Sequence, residues 1–204
     1  MKKDRVMKRL IPQLGEATLE SRGDAFTTLA RSIVGQQISV KAAQTVWDRF
    51  AALPTAMVPA QVLQLKLEDM RAAGLSARKA DYLVDLALHF DAGKLHVDGW
   101  QGMDDEAIIT ELVAIRGVGR WTAEMFLIFH LLRPNILPLD DVGLINGISR
   151  NYFRATPSAA AMRARWPRPG SLGAAWRLGI FGARWRRCRS RTDPHLSDPV
   201  RTAL

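Results

Sequence analysis

The chain has 204 residues, 48% hydrophobic and 24% charged, which is enough for one compact core and excludes a large multidomain assembly. Its formal charge of +9 invites a phosphate-polymer partner, yet ten Arg and two Asp from Arg163 onward carry +8 of that charge, and the preceding part is nearly neutral. A single cysteine, Cys188, excludes an intrachain disulfide, a multi-cysteine zinc site and a four-cysteine iron–sulfur cluster.

Apolar residues recur at three and four positions almost throughout and no alternating strand is visible, so the fold reads all-α. A first amphipathic segment spans Asp4 to Glu20 and is broken by Ser21-Arg22-Gly23-Asp24. Helices are expected over Ala25 to Val34 and Ser39 to Leu53, on either side of Gly35-Gln36-Gln37-Ile38, with Ser39 as a cap. Short helices follow at Pro59 to Leu65 and Leu67 to Ala73, then a longer one from Ala77 to Asp91 capped by Ser76. Gly99 to Met103 reads as a turn. Asp104 and Asp105 open a helix lasting to about Ile115, their charges suiting its positive end. The last helices run from Gly119 to just before Pro134 and from Val142 to Phe153. No apolar run reaches the roughly 18 residues of a spanning helix, and the N-terminus lacks a signal-peptide core, so a soluble, cytoplasmic protein without membrane contact is expected; a monomer is expected as well.

The most specific stretch is Leu112-Val113-Ala114-Ile115-Arg116-Gly117-Val118-Gly119-Arg120-Trp121-Thr122-Ala123-Glu124-Met125. Two helices meet at a turn whose glycines permit positive φ and close backbone approach, and whose amides, with the next helix start, suit a phosphate. An ordinary αα-hairpin is the alternative. Leu137-Pro138-Leu139-Asp140-Asp141-Val142-Gly143-Leu144 follows at the distance of the next helix start. Together with Ile33-Val34-Gly35-Gln36-Gln37-Ile38-Ser39, Gly74-Leu75-Ser76 and Lys79-Ala80-Asp81-Tyr82-Leu83, these stretches make the chain resemble the helix-hairpin-helix DNA glycosylase superfamily from about Ala25 to Phe153. Within it, the likeness is to the DNA-3-methyladenine glycosylase II branch in compact form.

That resemblance implies two helical lobes flanking a cleft, with residues 1–166 as the glycosylase domain and the hairpin at about 107–132. It implies a base-excision repair hydrolase acting on alkylated bases in double-stranded DNA, with no cofactor and no metal, a monovalent ion at the hairpin aside. Breaking the N-glycosidic bond builds positive charge on the sugar, which one fixed carboxylate stabilises while orienting water. The family pattern maps Asp141 to that role, with Asp140 as the alternative by counting from Pro138. Trp121 stands where lyase-type relatives such as endonuclease III have a lysine, implying a monofunctional hydrolase with Trp121 as a pocket wall for a flipped, cationic base; a core position is the plainer reading of Trp121 alone. Met125, one turn on, is expected to line the same pocket. Gln37 aligns with the wedge that fills the vacated stack, Gln36 with a DNA or loop contact, and Gly117, Val118, Gly119 and Arg120 with the phosphate seat. Arg116 departs from the family's usual Pro, which lowers the expected rigidity of the turn.

The family's last helix carries a Trp- and Tyr-rich segment. Residues 167–204 form an atypical Arg-rich tail instead. Reading Ala175 to Arg189 in an alternative frame is compatible with Leu-Ala-Thr-Trp-Tyr-Phe-Trp-Arg-Thr-Leu-Ala-Pro-Leu-Pro, so a frameshift between about Trp166 and Pro169 is expected. Two other readings stay open: a DNA-binding module without catalysis, and a glycosylase of the same fold for oxidised or mismatched bases.

Overall fold

The computed structural model describes residues 5–14, 21 and 23–152; the Arg-rich tail and the expected frame change lie outside them. The described residues are helical and contain no strand. In chain order the helices are α1 (Arg5–Leu14), α2 (Ala25–Gly35), α3 (Val40–Ala51), α4 (Pro59–Val62), α5 (Leu67–Ala72), α6 (Ala77–Asp91), a 3₁₀ helix (Val97–Gly102), α7 (Asp105–Val113), α8 (Arg120–Phe129) and α9 (Val142–Tyr152).

Local chemistry accounts for most boundaries. Asp24 accepts from Thr27 N–H at 2.8 Å, Ser39 from Ala42 N–H at 3.3 Å, Ser76 from Lys79 N–H at 3.3 Å and Asp104 from Glu106 N–H at 3.0 Å, each opening the helix that follows. Asp24, expected only as part of a break, is therefore also the start signal of α2. The helix expected to run to Pro134 stops instead at Phe129. Leu132 adopts φ +57° and Arg133 N–H turns back to Leu127 O at 2.8 Å, a left-handed ending like those that satisfy orphan helix carbonyls.

The chain divides into two compact units, with the boundary inside α8 between Phe126 and Leu127. In the unit formed by residues 21–126, α6 packs against α2, α4 and α5, and α2 against α3. Where α2 packs against α6, Leu29, Ala30, Ile33 and Val34 of the one and Ala80, Leu83, Leu86 and Ala87 of the other are fully buried. Burying a large aliphatic side chain contributes roughly 1.5–3 kcal/mol, so this seam is a principal source of the unit's stability. In the other unit, Leu10, Leu127, Ile128, Ile136, Leu144 and Ile148 are buried.

The expected turn at Gly99 to Met103 is a 3₁₀ helix anchored by Trp100, which is 1% exposed and meets Phe126 edge-on at 5.5 Å. The Trp100 indole N–H donates to Glu111 at 2.8 Å, and the same carboxylate accepts the His96 N–H at 3.2 Å. Burial pushes the Glu111 carboxyl up, but its donors from Trp100 and His96 outweigh this and hold it below its ordinary value. A depressed folded pKa means the contribution is complete above the unfolded value near about 4.3 and is lost as pH falls through the lower folded value. Glu111→Ala should cost about 2 kcal/mol in urea unfolding at neutral pH, and its deficit against the wild type should narrow in acid, below about pH 4.

Candidate nucleic-acid interface and catalytic carboxylate

Between α7 and α8 the chain reverses through a tight turn in which Val118 N–H donates to Ile115 O at 3.1 Å. Gly117 holds φ +86°, and a Cβ there would lie 2.2 Å from the Tyr82 ring, so only glycine fits on both counts. Gly119 faces open space. The Val118 side chain is 3% exposed and packs inside the turn that its own N–H closes. Among the described residues no acceptor takes the N–H of Gly117 or Gly119, which leaves both available to a phosphate. Ile115 O and Gly117 O each accept a hydrogen bond, from Val118 N–H and from Gln36 Nε2.

Arginines flank the turn differently from expectation. Arg116, in place of Pro, donates its N–H to Asp85 at 2.8 Å and its Nε to the other oxygen at 3.1 Å. The bond from the backbone is one Pro cannot make, and the pair ties the turn to α6. Burial raises the Asp85 carboxyl, but the Arg116 N–H and guanidinium, with His89, bring it below its ordinary value. Arg120 grips Glu106 with both terminal nitrogens and meets Glu124 at 3.1 Å through Nε. The hydrogen bonds to Glu106 raise its affinity for its proton. The structure thus engages Arg120 with two carboxylates, so it is not a free charge at the phosphate seat.

The loop between α2 and α3 is held against the same turn. Gln36 Nε2 donates to Gly117 O at 2.8 Å, a bond that ties the loop to the hairpin turn. Gln37 is exposed and adopts φ +59°, an uncommon conformation for a side chain larger than glycine. Lys79 Nζ donates to Val34 O and to Gln36 O, both at 2.7 Å. Gln36, Gln37, Ser76 to Lys79, Tyr82 and Gly117 line an open groove of about 550 Å³.

Trp121, in the first turn of α8, is 40% exposed, whereas Met125 one turn later is buried. The exposed indole is not the core residue that its helical position alone suggests. Neither residue lines the described groove, which lies between the α2–α3 loop, the start of α6 and the hairpin turn. Asp141, in the other unit, opens α9: its Oδ1 accepts the Leu144 N–H at 2.5 Å and its carbonyl accepts the Ile145 N–H at 2.9 Å. Asp140 is exposed beside it. The half-buried Asp141 therefore takes the helix-cap role, and its carboxylate is held in one orientation by the helix it caps.

Residues 30–168 match the family model described as HhH-GPD superfamily base excision DNA repair protein. The chain belongs to this superfamily. Among relatives of HhH-GPD proteins, the chain is similar to DNA-3-methyladenine glycosylase 1 of Schizosaccharomyces pombe, 34% identical over 71% of this chain and 66% of that protein. It spans 47% of the Bacillus subtilis relative YfjP at 33% identity, so it covers about half to two thirds of these curated relatives. The crystal structure of a Bacillus halodurans DNA-3-methyladenine glycosidase superposes with a TM-score of 0.79 at 31% identity, covering 88% of this chain and 84% of that one. A Schizosaccharomyces pombe 3-methyladenine DNA glycosylase in complex with abasic DNA gives 0.75 at 27% identity, covering 96% of each.

In this HhH-GPD chain the structure brings Gln36, Gln37, Gly117, Val118 and Gly119 together in one unit, and places Asp141 in the other. Sequence reading quoted Lys79 and Tyr82 of α6 within a matching stretch but gave them no role, and passed over Asp85. Their three-residue spacing was the available signal, because it aligns them on one helix face. Gly117→Ala should lower the melting temperature sharply, by about 2 kcal/mol or more in stability, whereas Gly119→Ala should change it by less than about 1 kcal/mol; thermal denaturation of the two variants side by side measures the contrast.

Proposed function

We propose that this HhH-GPD protein removes alkylated bases from double-stranded DNA by hydrolysing the N-glycosidic bond. The observation that carries the reading is Asp141: a half-buried carboxylate at the first turn of α9, oriented by the Leu144 N–H. It lies in a chain whose fold and sequence follow 3-methyladenine glycosylases. The phosphate next to the lesion would sit on the Gly117 and Gly119 amides, Gln37 would enter the vacated stack, and the everted base would lie against Trp121.

The chemistry asks little more of the protein. As the bond between C1′ and the base nitrogen breaks, its electron pair leaves with the base, and a base already cationic from alkylation departs neutral. The sugar passes through an oxocarbenium-like state, and Asp141 lowers its energy electrostatically. Water attacks C1′ and gives up a proton, leaving an abasic sugar. Trp121 carries no amine, so no Schiff base forms at that position, which makes the enzyme monofunctional. The exposed indole suits a cationic base through its electron-rich face.

Asp141→Asn separates catalysis from folding, because asparagine is as good a helix cap as aspartate. Release of 3-methyladenine or 7-methylguanine from duplex DNA should fall at least about 100-fold with binding of abasic-site DNA retained. Robust release by that variant would return the assignment to Asp140, and release of 8-oxoguanine in preference to alkylated bases would select the oxidised-base reading.

The family match ends at residue 168, within the interval where the sequence suggests a change of frame. We infer that the residues beyond it are read out of frame, which makes most of the +9 charge accidental. Resequencing of the gene should show one gained or lost base between codons 166 and 169. An intact frame, with a cellular protein of the mass given by this sequence, would refute it.

A further inference from the structure

The loop that carries Gln37 is tied down by residues of other segments. At the end of α2 the last carbonyls lack helical partners. The Lys79 ammonium, reaching across from α6, supplies two hydrogen bonds there, to Val34 O and Gln36 O at 2.7 Å each. From Gln36 the chain of contacts continues: its side-chain amide donates to Gly117 O at 2.8 Å, and Gly117 lies against the ring of Tyr82, one turn along α6 from Lys79. Loop, hairpin turn and α6 thus form a closed circuit. Within it Gln37 is exposed and keeps φ +59°, a conformation it would leave if the loop were free to relax.

We propose that Lys79 is a positioning residue for base eversion: by clamping Val34 O and Gln36 O it holds Gln37 in its strained, outward conformation, at a fixed offset from the hairpin that grips the phosphate. The inference rests on the reading of Gln37 as a wedge and of the chain as a glycosylase. Lys79 touches neither base nor sugar in this role. Partial burial of the ammonium lowers its pKa. A wedge on a loose loop reaches the same stack but holds it less often, so what fails is eversion and not chemistry.

The distinction can be measured on two substrates. One duplex carries the lesion in an ordinary pair, and a second carries it in a single-base bulge, where little stacking must be broken. Lys79→Met should slow single-turnover base release from the paired lesion by about tenfold or more and from the bulged lesion by less than about threefold. Gln37→Ala, whose side chain is exposed, should show the same pattern, and the double variant should be no worse than either single one. Equal losses on both substrates, or independent losses that multiply, would overturn the inference.

A readout that needs no turnover separates this idea from the activity it rests on. A duplex with 2-aminopurine beside a tetrahydrofuran abasic analogue brightens when the neighbouring stack is opened. At saturating protein the wild type should brighten it and Lys79→Met should not. If the wild type brightens it and the variant does not, yet neither releases any base, the glycosylase reading fails and the role of Lys79 stands. Equal brightening by both proteins, or none by the wild type, overturns that role. Should Lys79→Met melt below the assay temperature, Lys79→Gln, whose shorter neutral side chain cannot bridge Val34 O and Gln36 O, should lose the signal in the same way; an unchanged signal there also overturns it.

Discussion

The contact between the Tyr82 ring and the bare Cα of Gly117 is the constraint from which the rest of the interface follows. It requires a residue without Cβ at the turn, and that same residue must take a positive φ for the chain to reverse. With the turn seated on α6, every other tie falls within reach of one helix face. Lys79 reaches the end of α2, Tyr82 supports Gly117, and Asp85 holds Arg116, at successive three-residue steps. Each bond is modest, of the order of 1 kcal/mol. Their joint effect is geometric: two loops distant in sequence are referenced to a common rigid element whose own apolar side is locked into the core.

This arrangement separates the strained from the stable. The residues that do the holding sit on a long helix with a buried seam, and the non-glycine residue that they hold at positive φ, Gln37 at +59°, occupies an exposed loop position. Strain of this kind persists only where its surroundings over-determine it. Here they do so through groups on three segments, so the loop can present a side chain outward without the ordering cost that a flexible loop would incur on meeting a duplex.

What the sequence disclosed depended on whether the relevant chemistry was local. Ser39 and Ser76 were legible as caps because a hydroxyl and an amide three residues on suffice, and α6 runs between the expected residues, Ala77 and Asp91. The hairpin was legible from glycine spacing. The 3₁₀ helix was not, since its anchor is the Trp100 indole bonded to Glu111 on a later helix, and a Gly-rich segment reads as a turn without that partner. The end of α8 was missed because a left-handed Leu132 has no signature in composition. At the site, Asp141 and Gln37 came from motif alignment, but the pairing of Arg120 with Glu106 depends on the angle at which α7 meets α8, and the work of Lys79 on carbonyls more than forty residues away has no local trace.

The engagement of Arg120 bears on how such a hairpin would hold a nucleic acid. With its guanidinium shared between Glu106 and Glu124, the seat has to rely on peptide dipoles and not on a mobile cation. Dipoles do not take the place of the condensed ions that surround a duplex, so attachment through them adds little to the steepness with which affinity declines as salt is raised. A grip of that sort tolerates the ionic variation of a living cell better than one built from lysines, and surrenders in exchange the long reach that full charges give to an approaching partner.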